Sequence, residues 1–300
     1  MDRREFLIST AAAGIGLSLT GPAMLLPSTN QDPPVPEFVI AKGSSPSKLV
    51  RAAVAAIGGM AKFVRRGDVV VVKPNIGWDR LPEQAANTNP DVVAALVALA
   101  LDAGAKKVIV MDNPCNDPRR CYIRSGIAAA VEGAGGEIRY VEDRMYREMD
   151  IGGDKIKRWP VNKEIVEADV RINVPIAKHH GLSRVTLSMK NWYGAVGGRR
   201  NELHQDYARC MSDLAKFFRP QLTVLDAFRI LKANGPQGGN LADVERKNLL
   251  AVSRDQVAID SFGASLFDLK AGSLSFIVAA EKLGIGTSQW EKLRNVTVDT

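Results

Sequence analysis

The sequence predicts an α/β fold, a single three-layer domain with a largely parallel or mixed sheet covered by helices. Two observations carry that expectation. The Val/Ile runs "VVVV" (69–72) and "VIVM" (108–111) are continuous rather than alternating, as in strands covered on both faces. Segments with helical spacing separate such runs, and no internal repeat or break in composition divides residues 37–300.

The domain is expected over residues 37–300. Strand-like "EFVIA" (37–41) leads into helical "PSKLVRAAVAAIGGMAKFV" (46–64), then "GDVVVVKPN" (67–75). The helix "PDVVAALVALALDAGA" (90–105) is opened by Pro90 and Asp91 and closed by Gly104. It is followed by the strand "KKVIVMDN", the helix "SGIAAAVEGAG" and the strand "EIRYV". The polar middle holds "DIGGDKIKRWPV" (150–161), which reads as a hairpin. Strand "DVRINVPI" comes next, and "VTLSMKNWYG" (185–194) suits either a strand or a helix. Helix "DYARCMSDLAKFF", strands "QLTVLDAF" and "NLLAVS", helix "DQVAIDSFGASLF", and a last helix and strand complete the domain.

Ahead of it, residues 1–26 have the layout of an export signal. Paired Arg3-Arg4 and Phe6-Leu7 precede a Gly/Ala-rich apolar run, the pattern of the twin-arginine route, with Gly21 and Ala23 as small residues before a cleavage point. Gly14, Gly16, Gly21 and Pro22 make that run a poor spanning helix, so no stable membrane span is expected in the mature form. Residues 27–36 read as a Pro-rich linker. These features imply a periplasmic or otherwise exported protein that meets the Tat translocase on its way.

The net charge of +7 is spread along the chain in short pairs such as Arg65-Arg66, Arg119-Arg120 and Arg199-Arg200. Without a long basic tract or interleaved aromatics, nucleic acid is not an expected partner, and an anionic small molecule is. The three cysteines, Cys115, Cys121 and Cys210, include no CxxC, although Cys115 and Cys121 flank one loop and could pair after export. No iron–sulfur cluster is expected from them.

Several apolar runs end in a polar residue that a core would not choose. "VVVV" ends in Lys73-Pro74-Asn75, "VIVM" in Asp112, "INVPIA" in Lys178-His179-His180, and "LTVL" in Asp226. Any one of these suits the first solvated position of a loop. In open α/β sheets, however, ligands sit outside the carboxyl ends of the strands, so together the tips suggest one rim. Lys190-Asn191 interrupts another apolar segment, and a buried lysine needs a carboxylate or an anionic ligand to offset its desolvation. An internal salt bridge to Asp226 would serve equally.

All three histidines, His179, His180 and His204, fall in this part of the chain. Their spacing matches no metal motif. In an extended segment His180 shares a side with Lys178 while His179 faces away, so His180 is expected to work near its usual pKa and His179 to be structural. Gly235 and Gly238 in "NGPQGGN" could form an anion nest if the loop covers the rim, or a plain turn. Asp112 and Asp226 also offer hard oxygens for a divalent metal. The resulting assignment is Lys178, His180 and Asp226 as catalytic, with Lys73, Asn75, Asp112, Lys190, Asn191, His204, Gly235 and Gly238 binding ligand. A lysine whose pKa is lowered by a second lysine also has Schiff-base chemistry open to it. The alternative is a non-catalytic periplasmic protein that binds a ligand, cofactor or redox partner.

The series "GDVVVVKPNIGW", "ADVRINVPIAKHHGLSRVTLSMKNWYG", "LHQDYARCMSDLAKFF" and "LTVLDAF…GPQGG" resembles domain-of-unknown-function family 362. Matching positions include Lys73, Asn75, Asp112, Lys178, His180, Thr186, Lys190, Asn191, Gly194, His204, Asp226, Pro236 and Asp260. The family's activity is unsettled. Many relatives carry ferredoxin-type cysteine clusters, which this sequence lacks, so the resemblance implies no cluster here.

Overall fold

The computed structural model describes residues 35–300. The export-signal reading of residues 1–26, and the linker reading up to residue 34, lie outside the described residues.

The chain begins with β1 (Phe38–Lys42) and α1 (Pro46–Ala56), followed by β2 (Val69–Pro74), α2 (Pro90–Asp102) and β3 (Lys107–Val110). Next come α3 (Pro118–Arg124), α4 (Ile127–Gly133) and the short β4 (Glu137–Ile138). The hairpin of β5 (Tyr146–Asp150) and β6 (Arg158–Asn162) forms a separate two-stranded sheet, its first strand lying mostly ahead of the stretch the sequence pointed to. After α5 (Lys163–Glu167), the run "VRINVPIAKHH" is not one strand. Pro175 splits it into β7 (Val170–Val174) and β8 (Ile176–His180), because proline has no N–H for a central ladder. The ambiguous segment resolves into both options, β9 (Arg184–Thr186) and the four-residue α6 (Ser188–Asn191). Then follow α7 (Tyr207–Phe218), the ten-residue strands β10 (Leu222–Leu231) and β11 (Val244–Ser253), α8 (Gln256–Ser265), α9 (Ser275–Lys282) and β12 (Asn295–Asp299).

The main sheet runs β12-β1-β11-β10-β7-β2-β3-β4, with β8 joining β10 and β9. β10, β7, β2, β3 and β4 are parallel, while β11 is antiparallel to both β10 and β1. The sheet is thus mixed and mostly parallel, flanked by helices.

Strand periodicity sorts side chains between two cores. Val70 and Val72 of β2 join the core under α1, α2 and α4, and Val71 joins the core under α6, α7, α8 and α9. Burying each valine contributes roughly 1.5–3 kcal/mol. Lys73, two residues beyond Val71, therefore projects toward α6. The same parity sends Asp226 the other way. Its neighbours two residues away, Val224 and Phe228, lie in the α2 core, whereas Leu225 and Ala227 lie on the α6 side.

Candidate active site

The α6-side ends of β2, β3 and β8, together with α6 and the turns after it, enclose a cleft of about 280 Å³. Its lining includes Lys73, Asn75, Asp112, Lys178, His180, Lys190, Asn191 and His204 from the sequence assignment.

Asp112 accepts from the Ile76 N–H at 2.6 Å and pairs with Lys73 Nζ at 2.7 Å. Burial lowers the Lys73 pKa and the adjacent carboxylate opposes that shift. Gly194 lies against this pair: a Cβ there would overlap Asp112 Oδ1 and stand 2.7 Å from Lys73 Nζ, so the close approach requires glycine.

Asn191 links the elements. Its Oδ1 accepts from Lys73 Nζ and from Asn75 Nδ2, both at 3.0 Å. Its Nδ2 donates to the Lys73 carbonyl at 3.1 Å and to Asn173 Oδ1 at 2.8 Å. All four hydrogen-bonding positions of the amide are used, which fixes its orientation. Asn75 Oδ1 accepts in turn from Lys178 Nζ at 2.9 Å, so one chain of side chains connects two lysines. α6, which carries Lys190 and Asn191, is too short to be stable alone. Asp260 of α8 holds its first turn, accepting from Ser188 N–H at 2.6 Å and Met189 N–H at 3.1 Å.

Lys178 donates also to the Ala86 carbonyl at 2.6 Å, and neither of its acceptors is charged. Burial, with repulsion from Lys190 and Lys73, brings its pKa down to about 7. Lys190 lies 4.5 Å from the Tyr193 ring centroid and 3.1 Å from His204 Nε2. Burial lowers it to about 8, with Arg200 adding to the shift. Arg200 donates to the carbonyls of Asn113 (2.7 Å) and Pro114 (2.8 Å), which fix its guanidinium at the cleft. Asp112 is the one acid among the described lining residues, and Lys73 already pairs with it. Lys190 and Arg200 leave the cleft with positive surplus, to which Lys178 adds when it is protonated.

The two cleft histidines hold opposite tautomers. His180 Nδ1 accepts from the Leu182 N–H (3.1 Å) and Ser183 N–H (3.3 Å), so its proton sits on Nε2. His204 Nδ1 lies 3.3 Å from the Arg200 carbonyl, which can only accept, so His204 carries its proton there and receives Lys190 at Nε2. Burial, then Lys190 and His204, push His180 down to about 3. The expectation of a histidine titrating near neutrality is thereby corrected: His180 stays neutral because a second proton would displace two backbone donors beside cations.

Two further expectations fail. Asp226 does not line the cleft. It faces the opposite layer and accepts from the Asn89 N–H at 2.7 Å, at the start of α2, and from the Phe228 N–H at 3.0 Å. Burial raises its pKa to about 6. It is neither catalytic, nor a partner for Lys190, nor a metal ligand with Asp112. Gly235 and Gly238 make no anion nest. The Gly235 N–H is spent on His179 Nδ1 at 3.1 Å, Gly238 abuts Leu231, and only Pro236 of that loop lines the cleft. That contact does make His179 structural, as the alternation rule implied. Cys121 is buried within α3 and Cys115 is an exposed thiol on the cleft, both of them free in this structure. Among the described residues no group of three or more His, Cys, Asp or Glu is arranged to hold a metal, and no helix is long and apolar enough to cross a membrane.

The site assignment from sequence omitted Arg200, Cys115, Tyr193 and Thr186. Of these, Thr186 carried a signal, its place in the family pattern, as did the lining residues Gly194 and Pro236.

Residues 70–265 match the family model DUF362, described as a domain of unknown function. The chain belongs to the DUF362 family. This DUF362 protein is 30% identical over 243 residues to the thylakoid-associated protein sll1697 of Synechocystis sp. (strain ATCC 27184 / PCC 6803 / Kazusa), an overlap of 78% of this chain and 74% of that one. Among solved structures, the lactate racemase apoprotein from Thermoanaerobacterium thermosaccharolyticum aligns at TM-score 0.45 and 13% identity, over 76% of this chain and 56% of that one. A protein from Thermotoga maritima aligns at TM-score 0.34 and 10% identity, over 64% of this chain and 52% of that one. The chain spans about half the length of these two solved structures.

Proposed function

We propose that this DUF362 protein is an enzyme acting on a carboxylate- or phosphate-bearing small molecule bound in the cleft. One observation carries the reading: Lys178, Lys190 and Arg200 converge on a cavity whose single acid is already paired with Lys73. Two uncompensated, partly desolvated cations, Lys190 and Arg200, are costly in an empty site and are relieved by an anion. Lys190 and Arg200 hold the ligand's charge. Lys178, with a pKa of about 7, is the group that exchanges protons near neutrality. His180 donates through Nε2–H without changing its charge.

Thermal melts with phosphate and with a dicarboxylate test this. Both proteins should be compared, wild type and Lys190→Met, since methionine keeps most of the bulk and removes the charge. Anions should raise the wild-type melting temperature, by about 2.7 kcal/mol of stabilisation at a hundred times the dissociation constant, and the variant should lose most of that response. Equal behaviour of the two proteins toward every anion would sink the reading.

We further propose that residues 1–26 direct export through the twin-arginine route to the periplasm, on the strength of Arg3-Arg4 and the Gly/Ala-rich run. Residues 1–36 fused to a reporter should be exported, and replacing both arginines by lysine should stop it.

A further inference from the structure

Lys178 is hydrogen-bonded in a way that suits an amine better than an ammonium ion. Nζ has two acceptors, Asn75 Oδ1 at 2.9 Å and the Ala86 carbonyl at 2.6 Å, and both are neutral. A neutral amine has two N–H bonds, so both are satisfied and the lone pair occupies a remaining tetrahedral direction. Lys178 lines the cleft while being only 2% exposed, so burial adds to the preference for the neutral form. Lys190 and Lys73 act in the same sense, and the pKa of about 7 agrees.

The surroundings supply hydrogen-bond donors. Thr186 is the register partner of Lys178 across the β8–β9 pair, which puts the two side chains on one face. Its hydroxyl is buried, with the residue 4% exposed, and Oγ1 has no hydrogen-bond partner within the protein. His180, two residues along from Lys178, offers Nε2–H, and Lys190 offers an ammonium group. A nucleophilic nitrogen therefore shares a small cleft with donors suited to a carboxylate.

We propose that Lys178 Nζ forms an imine with the carbonyl carbon of a small 2-oxo carboxylate, whose carboxylate is received by Thr186, His180 and Lys190. This rests on the anion-binding reading above and narrows its ligand class. The neutral Nζ attacks the carbonyl carbon, a C–N bond forms, and the C=O π pair moves to oxygen, which takes a proton from the Lys190 ammonium. Nζ then returns one proton to Lys190, leaving a neutral carbinolamine. The hydroxyl takes a second proton from Lys190 and departs as water while the Nζ pair closes the C=N bond. The product is an iminium ion, and Lys190 is left neutral. One positive charge is present at every stage, and no oxidant or reductant is consumed.

The test is reductive trapping on the full chain. Protein is incubated with pyruvate and sodium borohydride, measured by intact mass, and digested to map the modified residue. Thermal melts with lactate and with phosphate, which lack the carbonyl, run in parallel. One reduced pyruvyl adduct per chain at Lys178, absent from Lys178→Met and at least about tenfold weaker in Thr186→Val, supports the proposal; that ratio is the size of one hydrogen bond to a charged group. No adduct with pyruvate or glyoxylate, or adducts scattered over surface lysines, overturns it. If lactate or phosphate still raises the melting temperature in that case, the anion-binding reading stands alone. If neither does, both fall.

Discussion

At the scale of single residues, the site consists of basic groups that burial has made less basic. Lys178 has a pKa of about 7 in the folded protein, against 10.5 for an ordinary lysine. The unfolded chain therefore binds more protons between those values, and stability owed to this group rises with pH across that window. Below pH 7 the full cost of a buried cation is present. Lys178→Met relieves all of that cost at pH 6 but a smaller part of it at pH 9, where it also removes two hydrogen bonds of a neutral amine. The melting temperature of the variant relative to wild type should therefore be more favourable at pH 6 than at pH 9. A difference that stays flat across that range would contradict the shifted pKa. Measuring the difference also cancels Asp260, whose raised pKa of about 8 acts in the opposite sense. At this scale the sequence was informative about which residues meet. An apolar run that stops at a lysine is visible in one dimension, and Lys73, Lys178 and Lys190 do share the cleft. Their protonation was not visible, because it depends on whether an acceptor is a carboxylate or a carbonyl.

At the scale of elements, Asp226 and Asp260 show that a buried carboxylate can be scaffold rather than chemistry. Asp226 holds the entry to α2 and a bulge in β10. Asp226→Asn leaves one of its two N–H donors facing an amide instead of an acceptor, at a cost of about 1–3 kcal/mol. Chemical denaturation should detect that loss while anion-induced stabilisation stays intact, and a vanished anion response would restore Asp226 to the site. Asp260→Ala should do both kinds of damage. It orphans two N–H groups at about 1–3 kcal/mol each, and it releases the helix that carries Lys190 and Asn191, so the anion response should fall along with the denaturation midpoint. Retention of the full response would show that α6 holds its shape without the cap. Asp226 was misread because it was taken for a strand tip, whereas β10 continues to Leu231. Its parity with Val224 pointed to the other face and was legible in the sequence; the strand's extent was not, since "RIL" carries no mark of a partner.

At the scale of the whole molecule, the α/β class followed from continuous Val/Ile runs separated by helices, and the mixed sheet agrees with it. The strand order does not follow from such runs, because it is settled by which helices cover which face. The dispersal of the cysteines is also a whole-molecule property. Cys121 and Cys210 are buried in different cores, and Cys115 is at the surface. Anaerobically purified protein should contain neither iron nor acid-labile sulfide, and a stoichiometric amount of both would overturn that expectation. The break at Pro175 has a mechanical consequence. β7 is laced to β2 by backbone bonds as far as Pro74, but β8 continues along β10 and leaves β2 behind. Beyond that point the two edges are stitched by side chains: Asn75 N–H to Thr88 Oγ1 (2.8 Å), Thr88 Oγ1 to the Val174 carbonyl (2.7 Å), and Lys178 to Asn75. The cleft thus sits at the end of a seam, where a few stitches can slip without unravelling the fabric of the sheet. Hydrogen exchange should show it, with the amides of Asn75 and Thr88 exchanging well before those of Val71 and Val72. Equal protection on both sides of Pro74 would mean that the seam is as tight as the ladder it replaces.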